Sequence, residues 1–106
     1  MDLFDRQLAA IADQDLETLL GQYHEDAVVV RLDRVARGPA EIRAFFAAYL
    51  QAKPQVDEIT ALQRTDDVIF YNARMTVAGN RVNAFGTLVV KDGKIWRQTA
   101  AAVPAG

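Results

Sequence analysis

The chain has 106 residues, no Cys, a single His and a net charge of −2. That length suits one domain, 1–106, whose core needs no staples. The composition excludes a disulfide framework, a cysteine nucleophile, Cys-ligated zinc and multi-His metal sites, and its mildly acidic balance argues against a nucleic-acid footprint.

Residues 2–12 place Phe4, Leu8 and Ile11 on one stripe, a short amphipathic helix. "ADQD" interrupts it, and Asp13 or Asp15 can cap a second helix by accepting a first-turn N–H. That helix turns Leu16, Leu19, Leu20 and Tyr23 inward and ends at "HED". "AVVV" (27–30) is a short strand, and "RLDRVARG" leads away from it. The third helix opens with Gly38 at the cap and Pro39 at the first helical position, where a missing N–H costs nothing. Ile42, Phe45, Phe46, Tyr49 and Leu50 form its apolar stripe, and Pro54 stops it.

From residue 56 the period changes to two, and strands are predicted near 56–65, 68–77, 82–91 and 94–103. "TDD", Gly79-Asn80 and Asp92-Gly93 are the expected turns. Helices followed by a run of hairpins predict an α+β fold, with helices on one face of an antiparallel sheet. The late strands are apolar on both faces. One face carries Val82, Ala84, Gly86, Leu88 and Val90, continued by Trp96, Gln98, Ala100 and Ala102. The other carries Phe85, Thr87, Val89, Ile95, Thr99, Ala101 and Val103. Helices cover only one of them, so a homodimer through the outer sheet face is expected.

No local Asp/Glu spacing suggests an oxygen-ligated Mg²⁺ site, so neither metal nor cofactor is expected. No apolar run approaches the ~20 residues of a membrane span. The start "MDLFDRQLAA" carries acids and amphipathic spacing, unlike a signal peptide. A soluble, cytoplasmic protein is expected, with neither nucleic acid nor membrane as partner.

"DQDLETLLGQYHEDAVVV", "ARGPAEIRAFFAAYL" and a meander ending in "KDGKIWR" together resemble the nuclear transport factor 2-like superfamily, in particular its SnoaL-like branch. The resemblance covers nearly the whole chain. It implies a cone-shaped, cystatin-like roll: three N-terminal helices on a curved, mainly antiparallel sheet that encloses a pocket. That superfamily holds ketosteroid isomerases, limonene epoxide hydrolases, polyketide cyclases and members that only bind or dimerise, so the fold does not give the function.

The isomerase pattern needs a carboxylate base and two buried donors, a Tyr and a protonated Asp. Those positions fall here on Arg31, near Gln7 and near Gly86, so that chemistry is rejected. The epoxide hydrolase pattern is Arg-x-Asp in one strand and an Asp after Trp-Arg in the last. Arg74 matches the Arg, but Thr76 and Gln98 stand where the acids should be, and both are neutral. The acid and base residues of the cyclases are not placed on this chain.

"FYNARMTV" (70–77) is the puzzling strand, because Arg74 interrupts it. The resemblance implies that Asn72, Arg74, Thr76, Gly86, Trp96 and Gln98 point into the cone. A buried guanidinium needs a partner: Glu58, Asp33, or an acidic or carbonyl-bearing ligand. The competing reading is a structural Arg–Glu pair or a solvated head. Arg31 falls at the pocket mouth with Asp33 and Arg34, or in a solvated loop; Tyr49 and Trp96 are wall or core.

The expected function is therefore a small-molecule pocket held by Arg74 with Asn72, Thr76, Gln98, Trp96, Arg31 and Tyr49. Its ligand is mostly apolar with an acidic or carbonyl group. Whether it is a binder or a metal-free isomerase, cyclase or hydratase/hydrolase stays open. The alternative is a dimeric interaction module with a filled cone. A third reading uses His24 or Asp33 as a base.

Overall fold

The computed structural model describes residues 2–105. Its elements run α1 (Leu3–Ala12), α2 (Leu16–Leu20), β1 (Tyr23–Arg31), β2 (Val35–Arg37), α3 (Gly38–Gln51), β3 (Gln55–Arg64), β4 (Val68–Val77), β5 (Asn80–Lys91) and β6 (Lys94–Pro104). This is the expected α+β roll.

The helix starts follow local chemistry. Asp2 Oδ1 accepts the Asp5 N–H at 2.9 Å, and Asp15 Oδ1 accepts the Thr18 N–H at 3.1 Å, so Asp15 rather than Asp13 caps α2. Tyr23 does not belong to that helix. Gly21 ends α2, and Tyr23 opens β1 with its ring buried in the core. In α3, Ile42, Phe45, Phe46 and Leu50 are buried at helical spacing.

The strands form one six-stranded sheet in the order β2-β1-β6-β5-β4-β3. Neighbours are antiparallel except β1 and β6, which run parallel, with Val29 opposite Gln98 and Arg31 opposite Ala100. That pairing joins the start of the chain to its end. Asp92-Gly93 makes the β5–β6 turn, with φ of 55° and 75°. The β4–β5 turn is Ala78-Gly79, one residue earlier than the spacing predicts, with φ of 51° and 80°. Both turns put positive φ at both central positions, as a two-residue hairpin demands.

The helices cover the inner face of the sheet. Phe4 and Ile11 of α1, Leu19 of α2 and Ile42 and Phe46 of α3 pack with Val29, Ile69, Leu88 and Ile95 in one core. The outer face carries no helix. Phe70, Phe85 and Val103 stand on it, exposed by 48%, 39% and 42%. No helix among the described residues is long and apolar enough to cross a membrane.

Candidate functional site

Core packing does not fill the cone. A cavity of about 270 Å³ lies between α1, α3 and the inner face of the sheet. Its walls are mostly apolar, with Phe45 and Phe46 from α3, Met75 and Val77 from β4, and Val82 and Ala84 from β5. Its polar residues are Gln7, Arg31, Tyr49, Tyr71, Asn80 and Gln98.

Strand parity explains why these side chains meet. On β4, Ala73 and Met75 are buried and Tyr71 and Val77 partly so, which makes the odd-numbered residues the inner face. Gly86 on β5 leaves room for Tyr71. A Cβ at Gly86 would stand 2.9 Å from the Tyr71 hydroxyl and 2.3 Å from the Thr99 carbonyl oxygen. Arg31 and Gln98 share the inner face of the parallel pair, with Cα atoms about 8 Å apart from strand spacing and rise.

A buried hydrogen-bond chain crosses the cavity wall. Gln7 Nε2 donates to the Tyr23 hydroxyl at 2.8 Å, and that hydroxyl donates to Gln98 Oε1. The Tyr49 hydroxyl reaches only Met75 Sδ, at 3.9 Å. Arg31 has a side chain 26% exposed and holds its Nε 3.8 Å from Asp33 Oδ1. That Nε is buried and has no hydrogen-bond partner among the described residues. The guanidinium lies over the Phe45 ring, with Cζ 5.6 Å from the ring centroid.

Burial decides the state of the phenols. It pushes Tyr49 up to about 12, with Tyr71 adding to the rise and Arg31 opposing it. It raises Tyr71 as well, again against the Arg31 charge, and it drives Tyr23 well above its ordinary value. All of them are protonated donors at neutral pH. No Asp, Glu or His lines the cavity among the described residues. The arrangement can therefore bind and polarise an oxygen that carries or develops negative charge. It offers no carboxylate or imidazole to take a proton.

The expected anchor lies elsewhere. Asn72, Arg74 and Thr76 are on the outer face, not in the cone. Arg74 Nη1 pairs with Glu58 Oε1 at 3.3 Å, and the two side chains are 66% and 58% exposed. Thr76 Oγ1 donates to Asp57 Oδ2 at 2.8 Å. Of the readings open for Arg74, the structural ion pair is the one found, and the reason is solvation: the apolar parity goes inside and the charge stays in water. The same residues edge a broad outer hollow of about 580 Å³, but its Arg74–Glu58 and Thr76–Asp57 groups already partner one another.

Trp96 is also outside the cavity, and a β-bulge is the cause. Val89 pairs with Arg97 while Val90 pairs with Ile95, so Trp96 is the unpaired extra residue. The phase flips there: Ile95 and Gln98 are both buried inward. Trp96 instead lies between Lys91 Nζ at 5.1 Å and Arg97 Cζ at 3.8 Å. Arg31, Tyr49 and Gln98 do meet at the cavity. His24 does not; its Nε2 lies 3.6 Å from Asp92 Oδ2 beside the β5–β6 turn. Sequence reasoning left Gln7, Tyr23 and Tyr71 out of the site. For Tyr71 the signal was present, since the apolar parity of β4 includes it.

A family profile for the SnoaL-like domain matches residues 4–98. The chain belongs to the SnoaL-like family. That family lies within the nuclear transport factor 2-like superfamily. Solved structures agree on the fold. A candidate ketosteroid isomerase from Kribbella flavida superposes with a TM-score of 0.84 at 19% identity, over 98% of this chain and 77% of the other. A candidate polyketide cyclase from Sinorhizobium meliloti gives 0.80 at 22%, over 92% and 91%. A cystatin-fold protein from Novosphingobium aromaticivorans gives 0.79 at 16%, over 92% and 92%. Among curated proteins none matches this SnoaL-like chain.

Proposed function

We propose that the cavity binds a small, mostly apolar molecule through a carboxylate or a strongly polarised carbonyl oxygen, with Arg31 as its anchor. The observation that carries this reading is Arg31 at the cavity wall, with a buried Nε that has no hydrogen-bond partner among the described residues. An orphaned guanidinium N–H is costly, and a planar oxyanion satisfies it in the fork geometry that Arg favours. The volume corresponds to about nine waters at their liquid share of ~30 Å³ each, so the ligand is smaller than drug-sized. Relatives include candidate isomerases and cyclases. If this cavity supports a reaction, it does so by stabilising an enolate-like oxygen with Arg31 and the phenols rather than by a carboxylate base.

Thermal shift with benzoate, cyclohexanecarboxylate and 4-acetylbenzoate tests the reading. Wild type and Arg74→Ala should gain stability from at least one of them, and Arg31→Met should gain none. An undiminished shift in Arg31→Met would sink the proposal.

A second copy on the outer sheet face is part of the same proposal. The exposed Phe70, Phe85 and Val103 support it, because apolar side chains left open on a face that also carries Asn72 and Arg74 favour a self-complementary twofold contact.

A further inference from the structure

We infer that Gln98 presents only N–H donors to the cavity, so that the ligand must carry a second oxygen acting as an acceptor: the substrate class is a small apolar oxo acid. The inference rests on the Arg31 reading and deepens it.

The argument is one of proton counting. A tyrosine hydroxyl has a single proton. Tyr23 accepts from Gln7 Nε2, so its own proton goes to Gln98 Oε1. With the Gln7 amide turned as it stands, the Gln98 oxygen is occupied and its Nε2 is left over. Gln98 is 93% buried, with a relative exposure of 7%, and it lines the cavity. That Nε2 makes no hydrogen bond among the described residues and opens onto the cavity, so a ligand that covers it without offering an acceptor leaves it buried and unpaired, at a cost in free energy. A carbonyl oxygen satisfies it, whereas an alkyl group of the same shape leaves it unpaired. Burial keeps Tyr23 protonated across the physiological range, so its hydroxyl retains a proton to donate.

Gln7 and Tyr23 are then positioning residues that act through Gln98. Arg31 holds the carboxylate, and Gln98, on the neighbouring strand, tests for the oxo group. A site built around a fixed hydrogen bond discriminates far more strongly than an apolar wall can.

The experiment compares 4-acetylbenzoate with 4-isopropylbenzoate, which share a carboxylate and differ in the carbonyl oxygen. Affinities are measured by calorimetry on the full chain. Wild type should favour the acetyl compound at least tenfold. Gln98→Met, which keeps side-chain length and leaves Tyr23 bonded to Gln7, should bring the ratio close to one. Tyr23→Phe, if it folds, should shrink the ratio too, because the amide is then free to turn. Equal binding of both probes in wild type, with dependence on Arg31 intact, overturns the Gln98 inference alone. A wild-type ratio that survives in Gln98→Met does the same. If neither probe binds, or if Arg31→Met binds both as well as wild type, the Arg31 reading falls and this inference falls with it.

Discussion

Arg31 Nε stands 3.8 Å from Asp33 Oδ1, close enough for charge attraction and too far for a hydrogen bond. Asp33 therefore lowers the local positive potential without satisfying the guanidinium. Its side chain is 70% exposed, so the attraction is screened and modest.

Asp33→Asn should consequently tighten the binding of small carboxylates. An exposed pair of this kind corresponds to about a two- to fivefold change in affinity. Calorimetric titration at low and high salt measures it, and the gain should shrink as salt rises. Weaker binding by the variant would show that Asp33 orients Arg31 instead of competing for it.

Tyr49 gives the fold a defined alkaline limit. Its hydroxyl ionises at about 12 in the folded chain, against an ordinary 10. The unfolded chain thus loses this proton first as pH rises. The stabilisation is whole below pH 10 and disappears by about pH 12, an amount on the order of 3 kcal/mol. Chemical denaturation across that window should show a steep fall in wild type and a shallower one in Tyr49→Phe. Identical slopes would mean that the phenol titrates in contact with water.

Gly86→Ala should be among the most damaging single substitutions. The new Cβ would meet the Thr99 carbonyl oxygen at 2.3 Å, and backbone in a central strand cannot yield without breaking the ladder. The tyrosine hydroxyl at 2.9 Å would have to move as well. A loss of about 2 kcal/mol or more is expected from urea midpoints at an unchanged slope. Near-wild-type stability would mean that β5 and β6 are farther apart at this point.

If the proposed second copy sits on the outer face, Phe85→Glu should convert a concentration-dependent dimer to monomer. The substitution puts a charge on the outer face, beside Ala101 and Asn72, and Phe85 itself does not line the cavity. Sedimentation should show one species at the monomer mass, with carboxylate binding retained. A wild type that is monomeric at all concentrations would remove the second-copy proposal.

The architecture was legible because its signals are local. Caps, Pro39, the α3 stripe and the period-two meander each specify an element without knowledge of the rest. Even the orientation of β4 was readable: Ile69, Tyr71, Ala73, Met75 and Val77 are its apolar parity, and assigning Arg74 inward set the family pattern above that simpler signal. Trp96 was not readable. One unpaired residue at the Val89/Val90 step inverts the alternation, and nothing in "KIWRQ" marks it. The polar chain was hidden for another reason. Gln7, Tyr23 and Gln98 come from α1, β1 and β6, and only the tertiary fold brings them together.

The parallel seam between β1 and β6 has a consequence for biosynthesis. Arg31 is made well before Gln98, and the two become neighbours only when β6 zips onto β1. A nascent chain halted before β6 could assemble its helices yet would have no floor beneath the anchor. In the proposed reading, binding would therefore report that β6 has paired with β1.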